Sequence, residues 1–98
     1  MSESVEQTPV RAQMIVKGLV QGVGYRAFAA RVASTMNLQG GVRNLDDGRV
    51  ELDVEGATAR ILMLIDELRK GPPASRVTAV EVEWGKATGR FSAFHVWY

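Results

Sequence analysis

Cysteine is absent from this sequence and histidine occurs once, at His95. The first absence excludes disulfides, thiolate nucleophiles and thiolate metal sites, so packing alone must hold the fold. The second leaves the usual nucleophile–base pairs scarce. Long apolar runs are missing too: no stretch approaches the roughly 18 residues of a membrane span. The opening MSESVEQTP is polar and acidic and lacks the apolar segment of a secretory signal. These features lead us to expect a cytoplasmic protein without membrane contact. Excess charge of one sign is also lacking, since the formal net charge is +1. That argues against a non-specific grip on nucleic acid.

What is present suits one small domain. With 98 residues, 46% of them hydrophobic, the chain can bury a single core but is too short to divide. A flexible tail over residues 1–10 and one domain over 11–98 are expected. The charge is unevenly spread. Residues 11–49 carry six basic and two acidic side chains, whereas residues 50–98 carry six and seven. A positive field concentrated in the first half suits a small anionic ligand, although ordinary solvated arginines would give the same count.

Hydrophobic periodicity supplies the elements. AQMIVKGLV, residues 12–20, reads as a first strand, and Phe28, Ala29, Val32, Ala33 and Met36 form one helical stripe from Tyr25 to about Met36. Asn37 and the Gly40-Gly41 pair end that helix. A second strand over about 40–45 reaches Asp46-Asp47-Gly48, a hairpin signal, and Val50, Leu52 and Val54 then alternate with charged residues. Ile61, Leu64, Ile65 and Leu68 mark a second helix from about Thr58 to Lys70, stopped by Gly71-Pro72-Pro73. Strands over 77–84 and 91–98 complete the chain. The order β-α-β-β-α-β with a terminal strand predicts an α+β, ferredoxin-like sandwich: an antiparallel sheet with two helices on one face.

VQGVGYRAF, Val20 to Phe28, breaks the first strand with two glycines and opens the helix with Arg26. The first N–H groups of a helix have no partners within it, and glycines let further amides turn toward the same point. An arginine at that mouth adds a fork that matches two oxygens of a phosphate. The residues thus allow either a phosphate or carboxylate site or a purely structural turn. A nucleoside-triphosphate loop is excluded because no lysine-serine or lysine-threonine follows, and the GxGxxG spacing of a dinucleotide site is absent.

KGLVQGVGYR (Lys17 to Arg26) resembles the acylphosphatase signature GxVQGVxYR, and GGVRNLDDGRVELDVEG (Gly40 to Gly56) resembles the second signature of that family. Two motifs in the correct order, within a likeness that spans nearly the whole chain after residue 10, identify it as resembling the acylphosphatases. The resemblance implies an acylphosphatase-like domain over 11–98 that hydrolyses the carboxyl-phosphate bond of acyl phosphates, needing neither metal nor other cofactor. Carried onto this sequence, the phosphate-binding residues would be Gln21, Gly22, Val23, Gly24, Tyr25 and Arg26. Arg26 and Asn44 would be catalytic, Arg26 holding phosphate oxygens and Asn44 orienting the attacking water. Partners would be a small acyl phosphate and inorganic phosphate, with the protein acting as a monomer. One position departs: the second motif usually carries an aromatic residue where this chain has Gly41, which suggests a looser second strand or a wetter site.

The chemistry accounts for the poverty of acid–base groups. A carboxylate leaving group has a conjugate acid of pKa about 4 and needs no general acid. The loose transition state of phosphoryl transfer asks mainly for charge neutralisation and an in-line nucleophile. Other candidates have plainer readings. Asn44 taken alone could be a turn residue, Asp46 and Asp47 read as hairpin residues, and Arg43, on the strand face opposite Asn44, ranks only as a secondary contributor to the site. His95 reads as a surface residue, and Trp84, Phe94 and Tyr98 as core or sheet-face residues. An RNA-recognition module is disfavoured because RVELDVEG lacks aromatic residues for base stacking. A phosphate-binding or regulatory module without turnover stays open as the alternative.

Overall fold

In the computed structural model, which describes residues 8–98, seven elements follow in the expected order. They are β1 (Pro9–Leu19), α1 (Tyr25–Thr35), β2 (Gln39–Asn44), β3 (Val50–Ala57), α2 (Thr58–Lys70), β4 (Arg76–Lys86) and β5 (Phe94–Val96). The sheet runs β4-β1-β3-β2-β5. Its first four strands are antiparallel, and β5 adds to β2 in parallel. The sheet pairing includes Pro9, opposite Ala57, and Val10, opposite Gly56, both within the stretch expected as tail. The rest of the expected tail, residues 1–7, lies outside the described residues.

Alternation along the strands sends Ala12, Met14 and Val16 of β1 and Val50, Leu52 and Val54 of β3 to one face, where all six are fully buried. The helices cover that face, α1 over β2 and β5 and α2 over β1, β3 and β4. Tyr25, Ala29 and Ala33 of α1 and Ile61, Leu64, Ile65 and Leu68 of α2 supply the facing stripes. Each fully buried Leu or Ile adds about 1.5–3 kcal/mol relative to exposure. No helix among the described residues is long and apolar enough to cross a membrane.

The other face is not left bare. β4 and β5 lie at opposite edges of the sheet, and residues 87–93 cross between them beneath the central strands. Two buried acids of β3 hold this strap. The Glu55 carboxylate accepts hydrogen bonds from the Thr88 amide (2.9 Å), the Thr88 hydroxyl (2.7 Å) and the Gly89 amide (2.9 Å). Burial opposes its charge, but these bonds outweigh that penalty and hold its pKa below the ordinary value. Asp53 takes a two-pronged contact from Arg11 (2.9 and 2.6 Å) and a further one from Arg90 (3.3 Å). The final strand is accordingly shorter than the span 91–98 suggests, because residues up to Ala93 belong to the crossing. Crossing beneath the sheet also dictates that β5 enters parallel to β2.

Candidate active site

Two turns of chain face each other at one end of the helix-covered side. The first is the glycine loop between β1 and α1. Gly22 and Gly24 have φ of 75° and 78°, a left-handed conformation that costs a residue with a Cβ but not glycine. Gly24 serves as the N-cap of α1, with no side-chain cap and no acidic residue in the first turn. The first helical bond runs from the Phe28 amide to the Gly24 carbonyl at 3.0 Å. The amides of Tyr25, Arg26 and Ala27 therefore have no acceptor within the helix and mark the positive end of its dipole.

The second turn is the β2–β3 hairpin, closed by Leu45 N–H to the Arg49 carbonyl at 2.8 Å. Asp47 accepts hydrogen bonds from the Arg49 amide (3.1 Å) and Nε (2.8 Å). The amide bond leads the causes that lower its pKa. Asp47 is thus committed to the turn, and with Asp46 exposed the pair is no carboxylate dyad. Gln21 joins the two turns: its Nε2 donates to the carbonyls of Leu45 (2.7 Å) and Arg49 (2.9 Å). That tie fixes the glycine loop against the strand end that carries Asn44.

Between them lies a pocket of about 190 Å³ lined by Val20, Gly22, Gly24, Tyr25, Arg26, Ala27, Asn44, Val96 and Tyr98. It is smaller than the roughly 300–1,000 Å³ of sites for drug-sized ligands, and no acidic side chain lines it. Among the described residues Arg26 has no ion-pair partner; its guanidinium donates to the Trp97 carbonyl at a long 3.4 Å and lies 4.8 Å from the centroid of the Tyr98 ring. No described carboxylate neutralises its charge. Asn44 Oδ1 is buried and accepts no hydrogen bond from any described group. A buried acceptor of this kind costs about 1–3 kcal/mol until a donor reaches it.

The structure therefore brings Gly22, Gly24, Tyr25, Arg26 and Asn44 of the expected site together. Gln21 and Val23 do not line the pocket; Gln21 is the tie and Val23 packs on the core. The Tyr25 hydroxyl is turned away, donating to the Leu68 carbonyl at 2.7 Å, and burial raises its pKa. Arg43 does face away, pairing with Glu51 at 2.6 Å. His95 is exposed and alternates with Phe94 and Val96, away from the pocket. Trp84 sits at the sheet edge, 44% exposed. Phe94 is core, but Tyr98 is fully exposed and belongs to the pocket wall. That wall of Val96 and Tyr98 was not legible as site; the only sequence signal was the aromatic pair Trp97-Tyr98 following an alternating strand.

Gly41 also has a different consequence from the expected one. A Cβ on it would collide with the indole of Trp97, which already occupies that space. The second strand is covered there, on the face opposite the pocket, by a ring from the end of the chain.

Comparison with known proteins gives the family. The family model described as acylphosphatase matches residues 12–96. An acylphosphatase of Thermus thermophilus is 47% identical over 87 residues, covering 89% of this chain and 98% of that relative. One from Methylococcus capsulatus is 50% identical over 86 residues, covering 88% and 94%. The crystal structure of acylphosphatase from Bacillus subtilis superposes with a TM-score of 0.88 at 35% identity, covering 91% of this chain and 99% of that one.

Proposed function

This chain belongs to the acylphosphatase family, and on that premise we propose that Arg26 and the amides of the glycine loop bind the phosphoryl group of an acyl phosphate while Asn44 positions water. The observation that carries the reading is a pocket in which an arginine and a buried amide oxygen, neither with a partner of opposite kind among the described residues beyond a long contact to the Trp97 carbonyl, meet the open end of α1. The phosphate dianion sits against the amides and the guanidinium, which neutralise charge on its equatorial oxygens. Asn44 Oδ1 accepts a hydrogen bond from water and aims its lone pair at phosphorus, in line with the departing carboxylate. That carboxylate leaves unprotonated, and the phosphoryl oxygens take the proton of the attacking water. The Tyr25 hydroxyl, held by Leu68 with a raised pKa, takes no proton in this scheme.

Leaving-group chemistry provides the test. Acetyl phosphate should be hydrolysed at least about a thousandfold faster than a simple alkyl phosphate, whose alkoxide leaves with no acid to protonate it. Inorganic phosphate should inhibit competitively, and chelators should leave the rate unchanged. Comparable rates on the two substrates would contradict the scheme.

A further inference from the structure

Arg26 is a long side chain with roughly 2 kcal/mol of rotamer entropy, yet no carboxylate among the described residues fixes its direction. Its described contacts are the Trp97 carbonyl at 3.4 Å and the Tyr98 ring at 4.8 Å. Both lie beyond the last paired residue of β5, where a three-residue strand offers little support. The Trp97 amide donates to the Val42 carbonyl at 2.7 Å. Its indole, projecting to the opposite face of the sheet, sits over Gly41 in the space a Cβ would need. Phe91 braces the indole from the strap, with ring centroids 5.9 Å apart and planes inclined at 42°. Arg90, bound to Asp53, lies 4.8 Å from the Phe91 centroid.

We propose that Trp97 is a positioning residue for Arg26: its indole, docked on Gly41, fixes the backbone carbonyl and the following ring that aim the guanidinium into the pocket. The inference rests on the reading of Arg26 as the phosphate ligand. It assigns the far face of the sheet a part in the chemistry of the near face, through one residue whose side chain lies on one side and whose carbonyl serves the other. Glycine at 41 is then a requirement of the dock, since any side chain there evicts the indole.

The decisive variant is Gly41→Ala, because the local backbone is outside the left-handed region and alanine perturbs little except the indole. Binding of inorganic phosphate is measured by calorimetry on the full chain, with folding checked by circular dichroism. Gly41→Ala and Trp97→Ala should each raise the Kd about 5–10-fold, as expected when a charge-assisted contact is misaligned but not deleted, and Trp97→Phe should stay within about twofold. In an Arg26→Lys background, where the fork is gone, Gly41→Ala should add nothing. Unchanged affinity in the folded alanine variants would overturn the inference and leave the cradle standing. Equal losses in the Arg26 and Arg26→Lys backgrounds would also overturn it, since they would mark a general structural effect. Failure of the wild type to bind phosphate would overturn the cradle and the inference together.

Discussion

Replacement of Arg26 by glutamine is expected to lower kcat/KM for benzoyl phosphate by ~10²-fold or more, equivalent to about 2.7 kcal/mol of transition-state stabilisation. Among the described residues Arg26 is the one cationic side chain that lines the pocket, and no carboxylate there pairs with it. Glutamine keeps hydrogen-bonding ability and approximate length but removes the charge, so the loss reports neutralisation of the phosphoryl oxygens. Because the guanidinium meets those oxygens in the ground state and more strongly in the transition state, KM should rise while kcat falls. Arg26→Lys should lie between the two, since an ammonium restores charge without the fork. Steady-state kinetics on the folded variants checks the order wild type, lysine, glutamine.

Asn44→Ala should show a different signature: kcat lowered by ~10²-fold, with the inhibition constant of inorganic phosphate changed by less than about threefold. The side chain is assigned to water and not to the anion, so binding and turnover separate. Stability supplies an independent mark. Deleting a buried acceptor that no described group satisfies removes a destabilising element, so the variant should unfold at the same urea midpoint as the wild type or above it. A residue that merely shaped the hairpin would give the opposite: a lower midpoint, with activity per folded molecule retained.

The legible parts of this protein are those encoded locally. Val50, Leu52 and Val54 alternate and Ile61, Leu64, Ile65 and Leu68 recur, so strand, helix and core face follow from period alone. The Asp47-Gly48 hairpin and the Gly24 entry to α1 follow from turn chemistry. Arg26 and Asn44 were legible only through the paired signatures, because an arginine after glycines and an asparagine before a turn each have an ordinary explanation. What escaped depends on contacts distant in sequence. Alternation shows that Asp53 and Glu55 leave the helix-covered face, but not that Arg90, Thr88 and Gly89 will bury them and shorten the last strand. The Gln21 side chain has the same character: its two bonds to hairpin carbonyls join residues 24 and 28 positions apart. Trp97 meets Gly41 across 56 positions of sequence, and no local pattern joins a missing side chain to a ring that far along the chain.

The central claim is that water held at Asn44 attacks phosphorus in the pocket formed with Arg26. Hydrolysis of benzoyl phosphate in water enriched in the heavy oxygen isotope, followed by mass spectrometry of both products after one turnover, tests it most directly. The account predicts the label in inorganic phosphate and none in benzoate. Label in benzoate would place the attack at the carbonyl carbon and contradict it, as would a folded wild type that releases neither product.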